Sequence, residues 1–266
     1  MTSRSFVWSF RAGRLSVRSW SVRKLLMTAL CAMTTHAIAT DLKVAAPNAV
    51  KDSIAEIAAR YEKASGHRVV FAWAGSETIT KRVAEGEVFD VVLNAAPNID
   101  RLSTEGKLVA GSRTDFARSA VGVAVRSGRP HPDVSTVDSL RNALLKAESI
   151  AISSGPSGRY LEALFTRLGI ADQIKQKIKQ PPSGAQIAEM LARGEAEMGF
   201  QQVPELLHAS GVDYLGPLPA EIQNYTIWSA GQHTAAPQRE AAREFIKMLV
   251  DTESGAAIKK TGMEPM

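Results

Sequence analysis

The chain has 266 residues, of which 45% are hydrophobic and 22% are charged, a normal globular composition that allows one large domain or two ordinary ones. Its formal charge of +5 would suggest nucleic-acid binding, but the distribution of charge excludes that class. Six of the 32 basic residues and no acidic residue lie within residues 1–40, so 26 basic residues face 27 acidic ones from Asp41 onward.

The basic leader has the organisation of a secretory signal peptide. Its charged region ends at Lys24, and the apolar stretch 25–39 is too short to span a bilayer. Ala37-Ile38-Ala39 has the small-x-small pattern, which predicts cleavage after Ala39 and a periplasmic protein; an uncleaved anchor or amphipathic arm is the alternative. Leu30 precedes Cys31 where a lipoprotein signal needs a small residue. Cleavage would remove the single cysteine, and with it any disulfide or thiol chemistry.

Strand-like and helix-like patterns alternate from residue 41 onward, which predicts an α/β fold. Asn48 and Asn98 are placed to cap two of the helices, and Gly66 is placed to end the first. In chain order the pattern predicts strand 42–46, helix 49–65, strand 69–73, helix 78–85, strand 89–93, helix 98–106, strand 119–125, helix 137–147, strand 149–153, helix 158–168, helix 185–193, strand 198–202, strand 225–229 and helix 237–250. No linker or repeat interrupts this compact body.

Three of the predicted strands end in small polar residues directly before a helix. Pro47-Asn48 follows the first strand, Ala74-Gly75-Ser76 follows the second, and Ser154-Gly155-Pro156-Ser157-Gly158 follows the strand at 149–153. A helix N-terminus exposes unpaired N–H groups with a partial positive charge, and ligands of open α/β sheets lie at the carboxyl ends of strands. The recurrence predicts a site for a small anion, although helix capping alone would explain each turn taken singly.

Enzyme signatures are weak in this sequence. The four histidines after the leader are isolated, without the spacing of metal ligands, and no phosphate-binding or dinucleotide-binding glycine pattern occurs. Gly155-Pro156-Ser157-Gly158 resembles a nucleophile elbow, but Arg159 stands where that motif needs its second glycine. The sequence therefore predicts a protein that is not an enzyme, with no catalytic residue, no metal and no cofactor.

Several motifs together resemble the periplasmic molybdate-binding proteins of ABC importers, and the likeness covers nearly all of residues 41–262. The segments that carry it are Val44-Ala45-Ala46-Pro47-Asn48, Trp73-Ala74-Gly75-Ser76, Phe89-Asp90-Val91-Val92-Leu93, Gly155-Pro156-Ser157-Gly158-Arg159-Tyr160 and Arg193-Gly194-Glu195-Ala196-Glu197-Met198-Gly199. The resemblance implies a type II periplasmic-binding-protein fold, with two α/β lobes and a ligand cleft between them. Lobe 1 would comprise residues 41–118 with 228–266, and lobe 2 would comprise residues 119–227.

The resemblance also implies which residues would bind the ligand. These are Asn48, Gly75, Ser76, Ser157, Gly158, Gly184 and Gln202. A family serine is replaced by Asn48 and the family tyrosine by Gln202. Because a side-chain amide carries both a donor and an acceptor, such a site would suit a small carboxylate as well as a molybdate-like oxyanion.

The function predicted from the sequence is that of a monomeric periplasmic solute-binding protein of an ABC importer. It would close by hinge motion around a small anion and deliver it to a membrane permease. Two alternatives stay open. One is a periplasmic ligand sensor that partners a membrane receptor, and the other is an exported hydrolase with Ser157 as nucleophile.

Overall fold

The computed structural model describes residues 39–266, together with the isolated positions 2, 5 and 8. Apart from those positions and Ala39, the predicted signal peptide, including Cys31, lies outside the described residues. Among the residues described, no helix is long and apolar enough to cross a membrane.

Ten strands and ten α-helices alternate along the described part of the chain, which confirms the predicted α/β class. In chain order they are β1 (Asp41–Pro47), α1 (Lys51–Ser65), β2 (Arg68–Ala74), α2 (Ser76–Ala84), β3 (Val91–Ala95), α3 (Ala96–Thr104), β4 (Thr114–Arg126), α4 (Val137–Lys146), β5 (Ile150–Ile152), α5 (Pro156–Arg167), α6 (Ala171–Ile174), β6 (Ile178–Lys179), α7 (Ile187–Ala192), β7 (Met198–Gln202), α8 (Val203–Leu206), β8 (Val212–Pro217), β9 (Tyr225–Gln232), α9 (Arg239–Met248), α10 (Thr252–Lys260) and β10 (Glu264–Pro265). Short 3-10 turns cover Asn48–Val50, Lys175–Lys177 and Ala220–Ile222.

The strands run in the order β2-β1-β3-β9-β4-β7-β5-β6, with β8 and β10 paired to β4. Around the first strands, β1 is parallel to both β2 and β3, and Val44 lies opposite Phe71 and Val91. At the other end, β5 is parallel to both β6 and β7. The parallel strands of each group therefore present their carboxyl ends, where ligands of such sheets bind, on one side.

Strand β4 connects the two groups of parallel strands. Its residues 114–120 pair antiparallel with β9, and its residues 121–126 pair antiparallel with β7 and β8. The result is a two-lobe α/β fold in which β4 and β9 form the crossing between the lobes. The exact limits predicted for the lobes, residues 41–118 with 228–266 and residues 119–227, stay a prediction.

Each lobe has its own hydrophobic core. In the first lobe, α1, α9 and α10 pack on β1 and β3, with the rings of Tyr61 and Phe245 in edge-to-face contact at 5.3 Å between centroids. In the second lobe, Val123 of β4 and Phe200 of β7 pack against Leu161 of α5. The helical faces predicted from apolar spacing are the faces that these cores bury.

Several boundaries differ from the sequence-based predictions for physical reasons. Helix α3 begins at Ala96 with Pro97 in its first turn, so Asn98 lies inside the helix and does not cap it. Helix α2 begins at Ser76, two residues earlier than predicted, and β3 begins at Val91, two residues later. Elements α6, α8, α10, β6, β8 and β10 were not predicted.

The core of the first lobe yields a stability prediction. Phe245 is completely buried, so Phe245→Ala should lower the free energy of unfolding by about 3–5 kcal/mol through lost burial and a residual cavity. Urea unfolding followed by circular dichroism measures this change. Val250→Ala, at a residue that is 45% exposed, is the control and should change it by less than about 0.5 kcal/mol. Equal effects of the two substitutions would contradict the packing of α9 described above.

Candidate functional site

A small cavity of about 40 Å³ lies between the lobes, at the carboxyl ends of β1, β2, β5 and β7. Six of the seven residues predicted to bind a ligand line it. They are Asn48, Gly75, Ser76, Ser157, Gly184 and Gln202. The structure thus brings the three strand-to-helix turns together, while ligand binding by these residues stays a prediction.

Gly158, the seventh predicted residue, does not line this cavity. It lies in the first turn of α5, where a Cβ atom would overlap the carbonyl oxygen of Ser153. The glycine therefore allows the helix to pack closely against the end of β5, and it acts on the site through that packing.

The side chain of Asn48 does not cap a helix, contrary to the prediction. Its Nδ2 donates a hydrogen bond of 3.0 Å to the carbonyl oxygen of Gly184, which belongs to the loop between β6 and α7. The first turn after β1 is a 3-10 turn, and no side-chain hydrogen bond caps it or α1. Asn48 therefore joins the first lobe to the second across the cavity.

The backbone at Gly75 also approaches the second lobe closely. A Cβ atom built on Gly75 would overlap Ser183 Oγ and the backbone nitrogen of Gly184, and it would come within 2.8 Å of the Ser183 carbonyl carbon. Gly184 has φ of +94°, a left-handed conformation that favours glycine. Both positions need glycine in this closed arrangement.

Ser157 lies buried in the first turn of α5, and its Oγ is 2.9 Å from Ser153 Oγ. Histidine is absent from the cavity walls formed by residues 39–266. A serine nucleophile needs a neighbouring base such as an imidazole, and the described residues of this cavity wall place none beside Ser157.

Gln202 is held by the crossing strands. Its Oε1 accepts a hydrogen bond of 2.7 Å from Ser119 Oγ on β4, and its Nε2 donates one of 2.8 Å to Thr226 Oγ1 on β9. Both polar atoms of the amide already have partners, so the position of Gln202 in the cavity wall is fixed. One Nε2 hydrogen is left for a ligand.

Arg159 is half exposed and does not line the cavity; its Nη1 lies 2.5 Å from Glu77 Oε1. This ion pair links α5 to α2 across the rim. Within the described range the cavity walls contain no basic side chain. Positive potential at the site therefore comes from neutral donors and from the N-termini of α2 and α5.

Three side-chain donors at this cavity were missed by the sequence analysis. Ser154 Oγ, Ser183 Oγ and Trp228 Nε1 are buried and have no hydrogen-bond partner within residues 39–266. An unsatisfied buried polar group costs about 1–3 kcal/mol, so three around one cavity mark it as a place that a ligand or ordered water completes. The two serines lie in loops that the sequence did single out, whereas nothing in the sequence identifies the orientation of the indole.

Glu205 was also missed, and it is the one ionisable side chain among the described residues of the cavity wall. Gln201 Nε2 donates a hydrogen bond of 2.8 Å to Glu205 Oε1. Removal of the carboxyl group from water raises its pKa to about 8, although hydrogen bonds from the Gln202 backbone and the Gln201 side chain oppose the shift. This carboxyl group can therefore gain or lose a proton near neutral pH.

Comparisons with known proteins agree with the geometry. A family model described as bacterial extracellular solute-binding protein matches residues 42–264. A protein of Pseudomonas sp named aconitate isomerase is 34% identical over 233 residues, covering 85% of this chain and 88% of that protein. The molybdate-binding protein ModA of Azotobacter vinelandii is 28% identical over 225 residues, and the match covers 81% of this chain and 87% of that protein.

The fold is shared with solved structures of binding proteins. The periplasmic molybdate-binding protein of Azotobacter vinelandii superimposes with a TM-score of 0.71 at 22% sequence identity, covering 84% of this chain and 98% of that one. This likeness agrees with the two-lobe fold expected from the sequence resemblance.

The expectation that the protein is not an enzyme is wrong on this comparison. The Pseudomonas relative is named for an enzymatic reaction and matches most of both chains. Histidine pairs, metal ligands and activated serines are the usual sequence signs of an enzyme, whereas Glu205 is the one ionisable side chain of the described cavity wall.

The close approach at Gly75 predicts that closure requires glycine at this position. Gly75 has φ of −74°, which alanine can adopt, so Gly75→Ala should fold but its methyl group should hold the lobes apart. Small-angle X-ray scattering should then give a larger radius of gyration than for the wild type. Gly255→Ala, where a Cβ would meet Pro265 at an ordinary 3.6 Å, is the control. Identical scattering from both variants would contradict the closure contact.

Proposed function

Because the chain belongs to the bacterial extracellular solute-binding protein family, we propose that it binds a small unsaturated carboxylate between its lobes and isomerises it, with aconitate as the candidate substrate. The observation that carries the proposal is the ring of unpartnered donors around a cavity whose described walls hold one ionisable group. The similarity to the relative named aconitate isomerase supports the choice of substrate.

The donor set supports an anionic ligand. An indole N–H can only donate a hydrogen bond, and a serine hydroxyl can donate one to an oxygen atom that approaches it. Trp228, Ser154 and Ser183 line one cavity from both lobes, so a ligand that carries carboxylate oxygens could satisfy the three donors.

The Glu205 carboxyl group adds a titratable group to the neutral donors of the cavity. With a pKa of about 8 it is mostly protonated at neutral pH, so its O–H can donate a hydrogen bond to an oxygen of an anionic ligand. A substrate that exchanges a proton with the protein needs an ionisable group close by, and the raised pKa of Glu205 suits that task.

The substrate must widen the cavity. A cavity of about 40 Å³ is small for a tricarboxylate. A tricarboxylate would therefore enter while the lobes are apart. With it bound, Asn48 and Gly75 would lie farther from Gly184 than they do in this structure.

A second candidate function is delivery of the bound anion to a membrane ABC permease from the periplasm. The family assignment and the similarity to a molybdate-binding protein favour it. Delivery and isomerisation would use the same cavity. The two functions therefore differ only in whether the protein releases the original ligand or its isomer.

Incubation of the purified protein with cis-aconitate tests the proposal directly. We expect trans-aconitate to accumulate until equilibrium, as followed by proton NMR. Thermal unfolding with aconitate, molybdate or sulfate at a hundred times the dissociation constant should show a stabilisation of about 2.7 kcal/mol for any true ligand. Stabilisation by aconitate without conversion would leave the delivery function, and no effect of aconitate in either assay would refute carboxylate binding.

The unpartnered donors predict a loss of affinity on their removal. Ser154→Ala should weaken aconitate binding roughly tenfold to a hundredfold, because a buried neutral donor contributes about 1–3 kcal/mol. Isothermal titration calorimetry measures the change. Ser103→Ala is the matched control, since that hydroxyl donates to Ile99 O within its own helix. Equal affinities of both variants would remove Ser154 from the site.

A further inference from the structure

We infer that Glu205 is the catalytic residue that carries the proton during isomerisation, an inference that rests on the proposed function. Glu205 lies in the first turn of α8, three residues beyond the end of β7, and it faces the cavity where the substrate would lie. Serine, asparagine, glutamine and tryptophan supply the other polar side chains of the described cavity wall, and none of them exchanges protons readily near neutral pH.

The carboxyl group is oriented by a fixed neighbour. Gln201 Oε1 accepts a hydrogen bond of 2.9 Å from the backbone N–H of Ile187, which determines which end of the amide faces Glu205. Gln201 Nε2 therefore points to Glu205 Oε1 at 2.8 Å. A base held in this way loses little freedom when the substrate arrives, which is a requirement for efficient proton transfer.

Glu205 separates the cavity from a polar groove on the outside of the protein. Asn48, Lys51, Asp52, Gln186 and His208 also line this groove. The charged or titratable residues that line this groove with Glu205 are therefore Lys51, Asp52 and His208. From the cavity side only neutral donors of the described residues face it.

The proton-transfer step balances without an oxidant, a reductant or a second substrate. Ionised Glu205 takes a proton from the methylene carbon of aconitate, and the electron pair of the broken C–H bond delocalises over the adjacent double bond and its carboxylates. The Glu205 carboxylic acid then returns the proton to the former vinylic carbon. The double bond now joins the central carbon to the former methylene carbon, so the cis and trans forms interconvert.

The pKa of about 8 agrees with this role. A proton carrier works best when its pKa lies near the working pH, because it must both accept and return the proton. Ionised Glu205 starts the reaction, so kcat/KM of the wild type should rise about tenfold per pH unit below pH 8 and level off above it.

Substitution of Glu205 by glutamine tests the inference. Glu205→Gln keeps the shape and removes the titration, so kcat should fall roughly 10²–10⁴-fold while stabilisation by aconitate in thermal unfolding is retained. Glu205→Asp should restore part of the activity with a shifted pH profile. Glu221→Gln, at an exposed carboxylate outside the site, is the control and should behave as the wild type.

The outcomes separate this inference from the proposed function. If the wild type converts aconitate and Glu205→Gln does so at a similar rate, the assignment of Glu205 is wrong and the isomerase function stands. If the residual activity of Glu205→Gln keeps a midpoint near pH 8, another group titrates and the assignment is again wrong. If the wild type converts no aconitate, both proposals fail together.

Discussion

The hydrogen bonds of the Gln202 amide connect the end of β7 to both crossing strands, and the rest of the site depends on this connection. Ser119 of β4 donates a hydrogen bond to the amide oxygen, and the amide nitrogen donates one to Thr226 of β9. All three residues are buried. Buried hydrogen bonds of this kind favour one arrangement, because a shift that broke them would leave donors and acceptors without partners. The end of β7 is thereby fixed where the two lobes meet, and so is the start of α8 with Glu205.

Elements with a clear apolar period could be predicted from the sequence. The stretch 49–65 and the stretch 137–147 correspond to helical segments because their apolar residues fall on one buried face. Helix α10 was missed, since its small and charged residues give little periodicity and its position is set by packing against α1 and by the Asp251 cap. Strand β8 was missed because Gly216 and Pro217 weaken its pattern, and pairing with β4 supplies what the local sequence lacks.

Part of the candidate site could also be predicted from the sequence, because it depends on the topology of the sheet. Turns that follow parallel strands converge by topology alone, so Ser76 and Ser157 could be placed near each other before any coordinates were known. The unpartnered state of Trp228 Nε1 and the raised pKa of Glu205 arise from burial by residues distant in sequence. Such properties belong to tertiary packing, so no local sequence motif reveals them.

Closure at Gly75 and Gly184 brings main chain close to main chain, with the Ser183 hydroxyl beside the contact. A side chain can change rotamer to fit a larger or smaller ligand, but two backbones in contact can only move apart as the lobes open. The size of a ligand would therefore set how far the lobes close, whereas the hydroxyl groups of Ser154 and Ser183 would set which chemical groups are bound. Single substitutions at these serines could change the preferred chemical group, while a ligand of another size would be accommodated by the angle between the lobes.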